Sequence, residues 1–398
     1  MRNLWVIGFL LVVLVLCFWP EPSKGESLSA IDLGGTIYNP TFKLPPMNTI
    51  ATPPKDSPML FLTPEMYKNL PKEWDWRDTG LLLDVRNQGQ CGSCWAFAST
   101  SMLGDRISIG LHKLTGEHKW RFNLSVQNLI SCITEDASLM GCKGAQTVED
   151  AAKALCEEYT YYSKDDPEKL YPKHAKGGSY KGCTYPYMDS NGTPVPCLET
   201  FSCTEDTMKC KMLMEMVRGI KTQRKYFFNT GAVHQLGFFD LDKFGKPTMT
   251  QEQLKKTVLT MKASIYHFGP IVTGILVFKD FALHRCGVYV PNPKTGVIGG
   301  HAIEIVGWGT DKHSGLDYWV CKNSWGSPWG EEGYWMSYMY DTVTGLLANA
   351  VDAHVEEGNL RDILATTQFD CCYASMVPKK YQVPKRMDIK SLLREERK

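Results

Sequence analysis

Small and apolar residues run from Cys94 to Gly104, a stretch that predicts a buried helix whose first turn carries Cys94. Helix-compatible segments continue as far as Tyr162. Beyond Pro270 the pattern changes to glycine-bounded, β-branched runs, Pro270 to Phe278 and Gly299 to Gly309. A further strand starts at Tyr318 and ends in Asn323, with Trp325 just beyond it. Helices first and strands second predict an α+β chain.

The flanks read differently. Leu4 to Trp19 is an apolar run too short for a comfortable membrane span, and Ser23-Lys24-Gly25 supplies small residues before a cut. Residues 1–25 are therefore expected to be a secretory signal peptide, with an uncleaved signal anchor as the alternative; after signal removal no stable membrane span is expected. Glu26 to Leu70 is rich in proline and polar residues and has little capacity to build a core. From about Gly358 to Lys398 the chain is basic and polar, which predicts a solvated extension. Docking to an acidic partner and removal by proteolysis are the sharper readings of that tail.

Composition adds bounds. The chain has 398 residues, room for one large or two medium domains, and 44 Lys+Arg against 43 Asp+Glu, a balance that gives no reason to expect nucleic acid. Fourteen cysteines are many, and an oxidising lumen reached through the secretory route would let them pair. The expected destination is an endolysosomal or extracellular compartment. In that setting Asn123-Leu124-Ser125 and Asn191-Gly192-Thr193 are glycosylation acceptors.

The chemistry centres on Gln88-Gly89-Gln90-Cys91-Gly92-Ser93-Cys94-Trp95-Ala96-Phe97, which places a thiol after a glycine turn and at the head of an apolar helix. A thiol with the reference pKa of about 8.5 needs help to ionise. The unpaired N–H groups and positive dipole end of a helix N-terminus supply part of it. An imidazolium must supply the rest, and His301, at the start of a buried strand, is the histidine held most rigidly. The competing reading of Cys91 and Cys94 is a redox pair or half of a zinc site, but no βαβ pattern surrounds them and no second ligand pair follows at zinc spacing.

Cys-Gly-Ser-Cys-Trp, then Gly300-His301-Ala302, then Asn323-Ser324-Trp325 is the order and wording of the papain-like cysteine proteases, which this chain resembles from about Pro71 to Val355. The resemblance implies a two-lobe fold with a helical lobe, an antiparallel β-barrel lobe and a cleft between them. It implies that Cys94 is the nucleophile, that His301 exchanges its proton, that Asn323 orients the ring, and that Gln88 forms the oxyanion hole with the Cys94 backbone N–H. Trp325 would shield the His–Asn bond from water. No metal and no cofactor are expected. Residues 26–70 would be a propeptide, short as in the cathepsin B and cathepsin X branch, or a plain linker. Residues 71–357 would be the protease domain, beginning just before Trp74-Asp75-Trp76-Arg77.

Departures from the family pattern carry information. Cys94 and His301 are 207 positions apart, against roughly 130–150 in papain. A cysteine-rich insertion is therefore expected at about 183–245. Its Cys183 to Cys197 loop contains no histidine, so a carboxydipeptidase loop of the cathepsin B kind is not supported, and endopeptidase action is expected. Gly144 and Ala145 fall where the family's loop meets substrate, and the Ala145 methyl would narrow the cleft. Asn349 stands where cathepsin B has an acid, which favours apolar side chains over arginine. The resemblance pairs Cys91 with Cys142 and joins Cys132 to one of Cys183 to Cys210; it leaves Cys286, Cys321, Cys371 and Cys372 unassigned, with Cys321 read as a buried free thiol. Expected partners are protein or peptide substrates and cystatin-like inhibitors. A restricted exopeptidase and a catalytically silent binding protein are the alternatives.

Overall fold

In a computed structural model, the structure describes Leu60 and residues 62–118, 120, 123–124, 126–132, 138–160, 178–179, 191–192, 194, 233–358 and 360–361. The signal peptide, residues 26–59, most of the cysteine-rich span and the tail beyond Arg361 lie outside the described residues. So do Cys371 and Cys372, and the side chain of Asn123.

Helix α1 spans Cys94–Thr115 and is buried along most of its length. It runs eleven residues past the predicted Gly104, because polar Asp105, Arg106, Ser108 and His112 are buried with it rather than ending it. Gly116, at φ 73°, terminates it, and its N–H bonds back to His112 O at 2.7 Å. Against α1 pack α2 (Val126–Cys132) and α3 (Val148–Thr160), whose apolar faces, Leu129 and Ile130 in one and Val148, Ala151, Ala152 and Leu155 in the other, join Met102, Leu103 and Ile107 in one core.

Strands β1 (Trp74–Asp75), β2 (Asn123–Leu124), β3 (Gly178–Ser179), β4 (Val233–Gln235), β5 (Asp240–Leu241) and β6 (Pro247–Thr248) are short. Helix α4 (Gln251–Phe268) begins at a reciprocal cap, with Gln253 N donating to Thr250 Oγ1 and Thr250 N to Gln253 Oε1. After it come β7 (Ile271–Phe278), α5 (Lys279–Ala282), β8 (Val288–Tyr289), β9 (Val297–Thr310), β10 (Asp317–Lys322), β11 (Tyr334–Tyr338) and β12 (Val351–Ala353). The main sheet has the order β4-β12-β7-β9-β10-β11-β8, and β1 joins the side of β9. All pairings are antiparallel except β11 with β8. Gly307 is where β1 crosses β9; a Cβ there would meet Trp74 O at 2.3 Å.

The second core lies between this sheet and α4, around Trp76, Trp308, Trp319 and Trp335. The two lobes of the expected α+β architecture are thus both present, each with its own core. Ile109 of α1 reaches into the barrel core, and Val272, Ala302, Val351 and Ala353 reach into the helical one.

Arg106, wholly buried in α1, fastens the two lobes together. Its guanidinium donates to Pro270 O at 2.6 Å, Ala353 O at 3.1 Å, Gly269 O at 3.2 Å and Ser264 Oγ at 2.8 Å, and it pairs with Asp352 at 3.3 Å.

Packing continues across three of the expected boundaries. Within the span expected as an insertion, Val233 and Leu236 are buried in the two cores and β4 pairs with β12. Ordered packing starts before Leu70, since Leu60 and Leu62 sit in the barrel core and Leu60 N bonds Gln235 O at 3.3 Å. At the other end Leu360 packs against Gly110 of α1, so the packed chain passes 357. Among the described residues no helix is long and apolar enough to cross a membrane.

Candidate active site

Cys94 is the first residue of α1, held there by the turn before it. Cys91 and Cys142 are joined by a disulfide, and Gly92 N donates to Cys142 O at 2.9 Å. Gly89, at φ 61°, lets the chain reverse. Gln88 is tied on three sides: its N–H to Ser324 O at 2.8 Å, its Nε2 to Cys91 O at 2.9 Å, and its Oε1 accepting from Ser324 Oγ at 2.7 Å. The Gln88 turn, from the helical lobe, is thus stitched to the residues that follow β10 in the barrel lobe.

Opening the Cys91–Cys142 loop, with partners 51 positions apart, should cost about 4 kcal/mol of stability on a chain-entropy basis. A Cys91→Ser, Cys142→Ser double variant is expected to melt at lower temperature. Thermal melts of the two proteins check the effect.

His301 stands in β9 opposite Ile275 of β7. Its Nε2 lies 2.7 Å from Asn323 Oδ1. That Asn323 atom also accepts from Ser324 N at 2.8 Å, and since a backbone N–H only donates, the oxygen assignment is fixed. His301 Nε2 therefore carries the hydrogen, and Nδ1 is the basic ring atom. Cys94 reaches the same place across the lobes, with Ala302 N donating to its Sγ at 3.4 Å. A break in register between Val320 and Cys321 redirects the end of β10 just before Asn323.

Trp325 lies over His301 with ring centroids 4.7 Å apart and planes tilted by 32°. It is held by an aromatic group that the sequence reading did not identify. Phe281 of α5 touches Trp325, Trp329 and Trp335 at centroid distances of 5.6, 5.2 and 5.1 Å. The tryptophans at 325, 329 and 335 were a visible signal; Phe281 joins them only through the fold.

Cys94 and His301 are each 1% exposed. Burial pulls the His301 imidazole down to about 4, against the opposing effect of the Asn323 hydrogen bond. Behind the pair lies a second unanticipated feature, a buried charge cluster. Lys322 Nζ meets Asp105 at 3.0 Å, Ser101 Oγ at 2.9 Å and Glu304 at 3.3 Å.

The remaining candidates are spread out. Ala145 is 3% exposed and its methyl packs in the helical-lobe core, so it does not narrow the cleft as expected. The bonds closing its turn run from Met140 N to Gly144 O and from Gln146 N to Ser138 O, and neither uses the Ala145 backbone. Gly144, at φ 115°, makes the turn possible. Asn349 is buried, its Nδ2 donating to Gly274 O at 3.0 Å. Asn191 is exposed, and its neighbour Gly192 abuts the turn that precedes Cys94: a Cβ there would lie 2.7 Å from Gln90 O. Cys321 is a buried free thiol, and Cys286 is partly exposed. Among the described residues no group of three or more His, Cys, Asp or Glu is placed to hold a metal ion.

Comparison with known proteins places these features in context. Residues 70–353 match the family described as papain family cysteine protease. A cathepsin B-like cysteine proteinase of Caenorhabditis elegans is 30% identical over 263 residues, which is 65% of this chain and 58% of that protein. The chain thus spans less than two thirds of that relative's length. Cathepsin Z of Onchocerca volvulus is 32% identical over 276 residues, 67% of this chain and 70% of that protein. Among solved structures, a procathepsin B from Trypanosoma congolense aligns with a TM-score of 0.52 at 21% identity, covering 78% of this chain and 86% of that one, a likeness of fold.

Proposed function

The chain belongs to the papain family of cysteine proteases, and from that premise we propose that it hydrolyses peptide bonds through a thioester formed on Cys94. The observation that carries this reading is the convergence of three separate segments: Cys94 Sγ at 3.4 Å from Ala302 N, and His301 Nε2 at 2.7 Å from Asn323 Oδ1.

The chemistry follows from the geometry. Asn323 holds the Nε2–H, so Nδ1 takes the thiol proton. Burial opposes a lone imidazolium, and the ring gains its proton only with a thiolate as counter-ion. The N-terminus of α1 favours that thiolate. It attacks the scissile carbonyl, and the oxyanion is met by the Cys94 N–H and the Gln88 amide, a kind of donor worth about 10²–10³ in kcat. His301 then returns its proton to the leaving amine, and water, deprotonated by the same ring, cleaves the thioester. Asn323 contributes through orientation, and Trp325 keeps water from its bond to His301.

Endopeptidase action is the reading adopted, supported by the lack of histidine in the Cys183 to Cys197 loop. One observation favours a second reading, restricted exopeptidase action: Asn191-Gly192 lies against Gln90, beside the catalytic turn. The test compares a fluorogenic peptide blocked at both ends with the same peptide carrying a free C-terminus. Comparable kcat/KM on both supports the endopeptidase. Cleavage of the free-ended peptide alone overturns it in favour of the exopeptidase.

The same reading makes the protein a zymogen of the secretory route, with residues 1–25 as signal, 26–70 as propeptide and a basic extension after 358, destined for an endolysosomal or extracellular compartment. Its partners would be protein or peptide substrates and cystatin-like inhibitors. Ala145 would bind substrate through its backbone, and the uncharged Asn349 would leave the main pocket selective for apolar side chains.

A further inference from the structure

Glu304 lies three residues after His301 on β9 and directly opposite Lys322 on β10. It is 1% exposed, with Oε2 at 3.3 Å from Lys322 Nζ. Neither of its carboxylate oxygens makes a well-formed hydrogen bond among the described residues, and the same is true of Asn323 Nδ2. These groups line one small cavity, together with Ser101, Ala302 and Arg86, with room for about one water molecule. The cavity sits immediately behind the amide that orients His301.

Buried polar atoms left unpaired cost about 1–3 kcal/mol each, and a polar cavity of this size is where bridging water is found. We infer that Glu304 is a positioning residue for the reaction: through one buried water it holds Asn323 Nδ2, so that the Asn323 amide stays with Oδ1 toward His301. The inference rests on the proposed role of Asn323.

The surroundings suit Glu304 to that role. It faces Lys322 from β10, Asp105 and Ser101 from α1, Arg86 from the preceding loop, Tyr334 from β11 and Arg106 deeper in α1. Burial pushes its carboxyl up to about 8, with Lys322 opposing and the Asp105 charge adding to the rise. The rise favours the neutral acid, which donates toward Asp105 and leaves an oxygen to accept from a water without adding a charge behind the imidazole. Lys322 and Asp105 then form a balanced pair on their own.

Two variants separate positioning from packing. Glu304→Leu keeps the volume and removes both polar atoms; it is expected to lower kcat about tenfold with KM changed less than twofold. Glu304→Gln keeps an acceptor and a donor and is expected to retain at least about half of kcat. An unchanged kcat in the leucine variant overturns the inference, and so does a glutamine variant as slow as leucine. Should the leucine variant not fold, a high-resolution crystal structure of the Cys94→Ser protein decides. An ordered water bonded to both Asn323 Nδ2 and Glu304 supports the inference, and its absence sinks it. An unsubstituted enzyme that neither turns over peptide nor alkylates at Cys94 would instead refute the mechanism proposed above.

Discussion

His301→Ala is expected to lower kcat/KM by about 10⁴ or more while leaving a folded protein, whereas Asn323→Ala should cost about 10 to 100-fold. The difference comes from what each group does. In the proposed mechanism His301 exchanges the proton at both transition states, so its loss would remove the base, the acid and the counter-ion of the thiolate at once. Cys94, already 1% exposed, then lacks the imidazolium that would balance a thiolate, and desolvation drives its ionisation to higher pH. Alkylation of Cys94 by iodoacetamide at pH 6 should therefore fall with turnover in His301→Ala and fall only partly in Asn323→Ala. Asn323 acts through one 2.7 Å bond to the ring, and the Trp325 ring still packs against the imidazole without it. Stopped-time alkylation with site mapping, alongside peptide hydrolysis, measures both. A His301→Ala protein that kept rapid Cys94 alkylation at pH 6 would show that the helix N-terminus alone ionises the thiol.

Much of this site was legible in the chain because its key parts are local. The glycine turn, the apolar helix that starts at Cys94, the glycine-bounded strand that begins near His301 and the strand ending in Asn323 each announce themselves over about ten residues. What escaped was set by register and by crossings between lobes. That Glu304 faces Lys322 follows from the pairing of β9 with β10, and a slip of one residue would turn it to the other face. The buried direction of the Ala145 methyl follows from its antiparallel bridge to Leu139, which no local pattern reveals. The continuation of α1 past Gly104 was hidden because Asp105 and Arg106 look like surface residues until their partners, Lys322 and Asp352, arrive from more than two hundred residues away.

Asp352→Ala should be among the most destabilising single changes in the protein, lowering stability by about 3–5 kcal/mol at neutral pH. Asp352 is wholly buried and accepts from Ser264 Oγ at 2.6 Å, Arg106 at 3.3 Å and His234 Nδ1 at 3.2 Å. Removing it strands the Arg106 guanidinium, which burial weakens as a base but does not neutralise. Four other acceptors still hold Arg106, and these keep the loss from being larger. Burial alone would raise the Asp352 carboxyl, but Arg106, the His234 bond and the Ser264 bond outweigh it and hold it below the usual carboxylate range. The stability this adds is present above the unfolded pKa of about 3.9 and is lost as pH falls through the lower folded value. The gap in melting temperature between the natural chain and Asp352→Ala, on the order of 10 °C at pH 7, should therefore shrink only at pH values below that of an ordinary aspartate. An Arg106→Met, Asp352→Leu double variant, which removes both charges, should recover part of the loss because no ion is left unpaired. Melts of the three variants across pH 3 to 7 test this, and a gap that stayed constant down to pH 3 would mean that the carboxylate charge is not what fastens α1 to the barrel lobe.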